Sequence, residues 1–315
     1  MTVIQSMRPG DLDEVARQVA RLQADPEYHI GYLSLDAESI AEELAGLPGG
    51  LGAAVVAIGG GRPAGLLAAD YDRDPPRVWW HGPFVWSGDG WRAVADRLYA
   101  SARRRLPRHV AQEELSPDDR SDQLARFAHA HDFHPETAAV VLVLEGPVDG
   151  PAPDEVVPAT AADRARVAKL HDDLFPEARA RGAQLVGAQD PHRVVLVTRR
   201  AGGLTGYVVA EHHAGGEGYL DFVGVRPDLR RRGLGRALVT AGVQWLHERD
   251  CHRVTVTVGE NLRGARSLYE SVGFVEQRVV RPWRRGVSVE PTENTADVRP
   301  AIRLPSRGAP RSPGG

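Results

Sequence analysis

The 315-residue sequence predicts an α/β protein built from two related halves. In each half, a glycine-rich turn joins two apolar runs in the pattern of a β-hairpin, residues 55–58 with 65–69 and residues 194–197 with 206–210. Gly65 and Gly206 are 141 positions apart (206 − 65), and Phe133 and Phe274 are separated by the same interval (274 − 133). A constant offset over this length indicates a tandem duplication.

Turn, cap and linker residues set the expected boundaries of the halves. Residues 8–11 and 158–160 carry the turn and cap residues that precede helices, so we expect helices over 12–23 and 161–174. The proline and glycine density around residues 146–153 predicts a linker at 148–154 between domains at 1–147 and 155–284. Residues 285–315 lack periodicity and are rich in Pro, Ser, Arg and Gly, which predicts a disordered tail.

The second half contains a basic, glycine-bearing loop between a predicted strand (219–225) and a predicted helix (237–246). A loop at a helix N-terminus offers free backbone N–H groups and the positive end of the helix dipole. Gly233 and Gly235 would let a phosphate approach the backbone, and four arginines add positive charge. A pyrophosphate is the ligand that this pattern favours, and an ordinary basic turn capping a helix is the alternative. The four arginines are Arg230, Arg231, Arg232 and Arg236.

A second motif follows about 25 residues downstream, after an apolar run at 253–258. It consists of an Asn, then Ala-x-x-Leu-Tyr, then Gly-Phe. Together with Arg-x-x-Gly-x-Gly at 230–235, it resembles the GNAT superfamily of acetyl-CoA-dependent N-acetyltransferases over roughly residues 155–282. The resemblance implies a mixed central β-sheet flanked by helices in each of two tandem domains, and acetyl-CoA as co-substrate without a metal. The matching residues are Asn261, Ala265, Leu268, Tyr269, Gly273 and Phe274.

The resemblance also assigns residues to the acetyl-CoA site. Backbone groups of Val223 and Val225 would pair with the pantetheine arm, because this strand separates from the next one in the family. Backbone N–H groups of residues 231–236 would hold the pyrophosphate, and Asn261 would be an N-cap, a hydrogen-bonding partner of the cofactor, or both. The predicted cofactor-binding set is Val223, Val225, Arg230, Arg231, Arg232, Gly233, Leu234, Gly235, Arg236 and Asn261.

For catalysis, Tyr269 stands where the family places the general acid that protonates the departing thiolate. The alternative role of Tyr269 is packing in the core. Many family members carry a glutamate as general base at the position that Tyr219 occupies here. Asp221, two residues on and on the same strand face, is the first candidate for the base, and Glu211 is the second. Asp221 could instead bind the substrate ammonium without taking its proton.

The first half has lost the residues that carry this chemistry. At the constant offset, Gly233 corresponds to Arg92, Gly235 to Val94 and Tyr269 to Ala128. We therefore expect a degenerate GNAT-like domain that no longer binds CoA well. An unrelated α/β domain is the alternative.

Composition and residue order limit the partners, disulfides and metal sites that we expect. The net charge of −3 gives no reason to expect a nucleic acid or a membrane surface as partner. The single cysteine, Cys251, excludes an intrachain disulfide and fits a cytoplasmic protein with a buried structural thiol. His212 and His213 are adjacent and would point to opposite faces of an extended strand, so no metal site is expected.

The sequence as a whole predicts an enzyme that transfers an acetyl or short acyl group from CoA to a primary amine. The acceptor would be a small molecule or a peptide, and no motif selects between them. The alternative is a non-catalytic acyl-CoA-binding sensor or interaction module. The abundance of arginine, alanine and glycine is typical of a GC-rich bacterial genome.

Overall fold

The computed structural model describes residues 2–73, 76–87, 90–148, 155–176, 178, 181–186, 190–200, 203–213 and 216–286. Within these residues the chain forms two compact units, residues 2–138 with 280–286 and residues 139–279. Most of the predicted linker and residues 287–315 of the predicted tail lie outside the described residues.

The elements of each unit follow the predicted order. The first unit contains β1 (Val3–Ser6), α1 (Leu12–Gln23), α2 (Ala37–Ala45), β2 (Ala54–Gly59), β3 (Arg62–Tyr71), β4 (Arg77–Val85), α3 (Trp91–Arg103), β5 (Gln112–Leu115), α4 (Asp122–Ala130) and β6 (His134–Pro135). The second contains β7 (Ala139–Glu145), β8 (Val156–Pro158), α5 (Arg164–Leu174), α6 (Gly182–Leu185), β9 (Arg193–Arg200), β10 (Gly203–His213), β11 (Glu217–Val225), α7 (Leu234–His247), β12 (Arg253–Gly259), α8 (Arg263–Val272) and β13 (Val275–Val280). The last strand, β14 (Trp283–Gly286), returns to the first unit.

Each unit is built on a seven-stranded mixed sheet, which confirms the predicted fold class. The order is β1-β2-β3-β4-β5-β14-β6 in the first sheet and β13-β7-β12-β11-β10-β9-β8 in the second. A short parallel pairing occurs at the same place in each sheet, between β4 and β5 and between β11 and β12. The helices pack on these sheets.

Two strands lie outside the half to which the sequence assigned them. β7 falls before the predicted boundary at 147 but pairs with β12 along its whole length. Its apolar run is almost entirely buried, as expected for an interior strand. β14 pairs with β5 and β6 in the first sheet, so the prediction that the tail begins at 285 is wrong for Arg285 and Gly286. Arg285 is held there by a hydrogen bond to the Tyr99 hydroxyl.

Both faces of the second sheet are covered by apolar side chains. Leu238 and Val239 of α7 and Phe274 after α8 pack on one face. Val167 of α5 and Tyr207 of β10 pack on the other. This double burial fixes the central strands rigidly, and the candidate site lies where two of them separate. None of the helices in the described part of the chain combines the length and apolar character needed to cross a bilayer.

Candidate active site

β11 and β12 separate soon after they meet. Their parallel pairing covers residues 217–219 of β11 and 253–255 of β12. On its other side β11 carries a bulge, because Val223 pairs with Val208 and Leu220 pairs with Ala210. Two residues, Asp221 and Phe222, therefore lie opposite one residue of β10. Beyond Tyr219, the edge of β11 that faces β12 has no strand partner among the described residues, and it can pair with an extended ligand.

The unpaired edge leads into the loop before α7. A 3-10 turn at Pro227–Leu229 follows β11, and α7 begins at Leu234 with Gly233 as its N-cap. Gly233 has φ +83° and Arg231 has φ +58°, so the backbone turns sharply on both sides of Arg232. The Ala237 N–H donates to the Gly233 carbonyl at 3.0 Å. The N–H groups of residues 234–236 precede this first intrahelical bond and are free for an anion.

The arginine side chains of the loop differ in what they contact. Arg236 donates to the Ser271 carbonyl at the end of α8, and the Arg230 guanidinium lies 3.3 Å from the Val225 carbonyl. Arg231 and Arg232 are exposed. Two of the four predicted phosphate arginines therefore fasten the loop to its surroundings. Arg231 and Arg232 are the two whose side chains are not engaged in these contacts.

The two loop glycines have different surroundings. A Cβ built at Gly233 would meet no atom of the described chain within 4 Å, so this position is open to a ligand. A Cβ at Gly235 would come 3.0 Å from Leu268 Cδ2 of α8. Gly235 thus permits α8 to pack closely on α7, in addition to any contact of its N–H with phosphate. The sequence had given both glycines the same role.

Asn261 is not an N-cap. α8 begins at Arg263 and its N-cap is Leu262, whose carbonyl accepts from the Ala265 N–H at 3.0 Å. The turn before it is closed by the Leu262 N–H and the Gly259 carbonyl, which leaves Asn261 one residue outside the helix. Its side chain is exposed, so the cofactor-binding role stays a prediction.

Tyr269 lies on the buried face of α8. It is 7% exposed and meets Phe274 edge-on, with ring centroids 5.7 Å apart. Burial raises the pKa of Tyr269 above its ordinary value, so its phenol is protonated at neutral pH. Tyr219, where the strands part, lies close enough to interact electrostatically with both Tyr269 and Asp221. The predicted acid and the first candidate base therefore both lie within electrostatic reach of Tyr219.

The two candidate bases share one arginine. Arg193, at the start of β9, lies 3.1 Å (Nε) from Glu211 Oε1 and 3.7 Å (Nη2) from Asp221 Oδ2. Burial, reinforced by the nearby Glu211 carboxylate, raises the pKa of Asp221 to about 8, and Arg193 opposes this shift. Burial also raises the pKa of Glu211. Burial therefore favours the protonated form of both carboxyl groups, and Arg193 favours their ionised form.

Histidines surround the outer end of this pair. His213 Nε2 lies 3.7 Å from Glu211 Oε2, and burial lowers the pKa of His213 to about 4, so its ring is neutral. The rings of His192 and His212 stack at 5.6 Å. In the residues that the structure covers, no group of three or more His, Cys, Asp or Glu side chains is arranged to hold a metal ion.

Cys251 lies away from this chemistry. It is buried, its Sγ lies 3.5 Å from the Glu217 carbonyl, and burial raises its pKa to about 11. A protonated, enclosed thiol is a poor nucleophile. The geometry fits a structural role.

Sequence reasoning missed Arg193 and His213. The hairpin register contains the signal for Arg193, since the pairing of Val197 with Tyr207 continues to that of Arg193 with Glu211. Extending the predicted hairpin by one residue on each strand would have placed this arginine beside the candidate base. No comparable signal identifies the histidine.

The first unit has the same arrangement of parting parallel strands, but the loop between its strand β4 and helix α3 is different. Its parallel strands also pair over three residues, 77–79 with 112–114, and then part. Five residues (86–90) separate β4 from α3, whereas eight (226–233) separate β11 from α7. Gly90 is the N-cap of α3, with φ +91°, so Gly90 corresponds to Gly233. The predicted correspondence with Arg92 is wrong because the shorter loop shifts the start of the helix.

A mixed sheet whose parallel strands part above a helix N-terminus is the arrangement of a GNAT-type acyltransferase. Residues 164–274 match the sequence model of the acetyltransferase (GNAT) family. The second unit of this chain therefore belongs to the GNAT acetyltransferase family.

Similar proteins support this assignment. A mycothiol acetyltransferase from Nocardiopsis dassonvillei is 31% identical over 229 residues, which cover 66% of this chain and 65% of that protein. Another, from Thermobispora bispora, is 39% identical over 96 residues, 29% of this chain and 32% of its own length. The matched segment thus spans about a third of that second relative.

Two solved structures share the fold over most of the chain. A GCN5-related N-acetyltransferase from Sphaerobacter thermophilus superposes with a TM-score of 0.73 at 19% identity, covering 90% of this chain and 95% of its own. A tandem GNAT protein from the clavulanic acid biosynthesis pathway superposes with a TM-score of 0.62 at 18% identity, covering 92% of this chain and 100% of its own. The tandem arrangement is therefore a known form of this fold.

Proposed function

We propose that the second unit transfers an acetyl group from acetyl-CoA to a primary amine of a small molecule or peptide. One observation carries the proposal most strongly. The unpaired edge of β11 runs directly into the free N–H groups at the start of α7, so an extended thioester and its pyrophosphate have adjacent partners. A carboxylate pair and a protonated phenol lie at the other end of that edge.

The cofactor-binding residues would act mainly through their backbone. Val223 and Val225 supply main-chain groups to the pantetheine arm, and the N–H groups of residues 231–236 receive the pyrophosphate. Gly233 leaves open space for a phosphate oxygen. Asn261, exposed before α8, would add a side-chain hydrogen bond.

The acid and base groups would move two protons in opposite directions. An ionised carboxylate of the Asp221–Glu211 pair takes a proton from the ammonium group of the acceptor. The neutral amine then attacks the thioester carbonyl carbon, forming the C–N bond. As the C–S bond breaks, Tyr269 donates its phenolic proton to the departing sulfur, and the new amide nitrogen loses its second proton to solvent. The proton on the carboxyl group then returns through solvent to restore the phenol.

The acceptor would be a cationic amine, because the site presents two carboxyl groups and one arginine. The named relatives are mycothiol acetyltransferases, which favours a small-molecule amine over a peptide. The single cysteine and the arginine-rich composition fit a bacterial cytoplasmic enzyme.

The first unit would not bind acetyl-CoA. Its loop is three residues shorter (8 − 5), and Pro83 has no N–H to offer at the parting of the strands. Ala128 occupies the position that corresponds to Tyr269.

The test is acetyl transfer by the purified full chain to a panel of small primary amines. We expect amine-dependent release of free CoA together with a product 42 Da heavier than the amine, the mass that one acetyl group adds. The D221N/E211Q double variant should reduce the rate and keep acetyl-CoA binding. Binding of acetyl-CoA without transfer to any amine or peptide tested would contradict the proposal.

A further inference from the structure

Arg193 is the one group that contacts both candidate bases directly among the described residues of this site. It approaches them from β9, whereas Glu211 lies on β10 and Asp221 on β11. The arginine and Glu211 are direct cross-strand neighbours in the antiparallel register. Its side chain is 24% exposed, and that of Asp221 is 14% exposed, so solvent screens these interactions only partly.

The charges of Arg193, Glu211 and Asp221, called the trio below, decide whether one of the two carboxyl groups can accept a proton. Two carboxylates close together cannot both ionise easily without a cation between them. One arginine compensates one negative charge and leaves the second carboxyl group able to exchange a proton. An acceptor ammonium brings a further positive charge, which favours the second ionisation.

The first unit offers an internal comparison. By strand register, Asp70 holds the place of Glu211, since each pairs with the residue where the parallel strands part, Trp79 and Tyr219. The position of Arg193 is taken by Gly52 (193 − 141), and that of Asp221 by His81. The unit that lacks the features of an acetyl-CoA site thus also lacks the arginine.

We propose that Arg193 is a positioning residue for acetyl transfer, which holds the Asp221–Glu211 pair with one charged carboxylate ready to take a proton from the acceptor. This inference rests on the proposed function. Arg193 touches neither the thioester nor the amine in this account, and acts through the carboxylates.

Other titratable groups face the pair and stay constant in the test. The negative charge of Asp190, in the segment before β9, contributes to the raised pKa of Glu211. Neutral His213 lies beside Glu211 on β10. Asp221 lies near the buried hydroxyls of Tyr207 and Tyr219. Asp172 of α5 acts on Tyr207 in turn.

The experiment compares the wild-type protein with R193Q and R193K in two measurements. The first is a carbon-13 NMR titration of side-chain carboxyl groups in the free full chain, with the D221N and E211Q variants used for assignment. The second is the pH profile of kcat/KM with one amine throughout. Loss of an opposite charge at this distance raises a carboxyl pKa by about 1–3 units. For R193Q we therefore expect the carboxyl titration midpoint measured by NMR, and the pKa of the acidic limb of kcat/KM, to rise by that amount. For R193K we expect both values to stay near those of the wild type.

Arg253 provides a matched control on β12, the strand next to β11. It is buried to a similar degree and pairs with Glu217 at 3.0 Å, outside the trio. R253Q should leave the midpoints of Asp221 and Glu211 in place. Unmoved midpoints in R193Q, or a kcat/KM that falls by the same factor at every pH, would overturn the proposal. If the wild type acetylates no amine, the proposed function fails, and the NMR titration still decides the role of Arg193.

Discussion

Pro83 in the first unit occupies the strand position that Val223 occupies in the second. Phe84 pairs with Leu66 and Gly224 pairs with Tyr207, at equivalent points of the two hairpins, and Pro83 and Val223 each come one residue earlier. A proline has no backbone N–H, so the first unit lacks one donor where the strands part. The two halves therefore share a scaffold and differ in the main-chain groups that an extended ligand would use.

Replacing Tyr269 with Phe tests the general acid. The ring and its contact with Phe274 stay, and the proton donor is lost. We expect kcat to fall by roughly 10²–10³-fold, on the scale of general acid catalysis, with little change in KM for acetyl-CoA. Steady-state kinetics measure both constants, and thermal unfolding checks that the fold is kept. A fully active Y269F enzyme would leave solvent as the proton source and reduce Tyr269 to packing.

The raised pKa of Asp221 predicts how stability depends on pH. The folded pKa of about 8 exceeds the model-peptide value of 3.8, so the folded state binds more protons between these values. The wild type should lose stability as the pH rises through this window, by at most about 1.4 kcal/mol per pH unit for one proton. D221N, which stays neutral, should become more stable than the wild type at pH 8 and lose this advantage near pH 4. Chemical denaturation at each pH measures the difference, and equal stabilities at every pH would show that Asp221 is not buried as a neutral acid.

The return of the chain to the first unit should be required for its stability. Glu114 is fully buried, and its Oε2 lies 3.0 Å from Arg284 Nε of β14 and 2.9 Å from Arg77 Nη1. R284M removes one of the two cations that pair with a buried carboxylate, and with Arg77 still in contact we expect a loss of about 1–3 kcal/mol. R126M breaks an exposed pair with Asp122 in the same unit and should cost less than about 1 kcal/mol. Equal losses in the two variants, measured by denaturant unfolding of the full chain, would contradict this account of β14.

The fold of the second half was largely predictable from local patterns. Apolar runs, hairpin turns and the spacing from Arg230 to Phe274 identify the elements and their order. The assignment of β7 to the second sheet was not predictable, because its apolar run is compatible with either sheet and only its pairing with β12 decides between them. The short strand β14 gives no apolar pattern, since Trp283 is its one large apolar residue and Arg284 pairs with buried Glu114.

The candidate site was predictable where it depends on motifs and less so where it depends on register. Gly233 and Tyr269 follow from sequence spacing, and the structure confirms that Gly233 caps α7 and that Tyr269 is buried. The contact of Leu268 with Gly235 and the bridge from Arg193 to the carboxylates arise from packing between elements. Asn261 was misread as a possible N-cap because the turn at Gly259 extends one residue further than the motif suggests.

The measurement that tests the central claim most directly is calorimetric titration of acetyl-CoA into the full chain and two matched glycine variants. Gly233 and Gly90 both cap a helix at positive φ, and a Cβ at either would meet no described atom within 4 Å. Glutamate therefore brings the same negative charge to each loop, and the greater backbone strain falls on Gly90, whose ψ is 131° against −13° at Gly233. We predict one site per chain for the wild type, one for G90E and none for G233E. Two equal sites in the wild type, or equal losses in the two variants, would contradict the claim that the second unit alone holds the co-substrate.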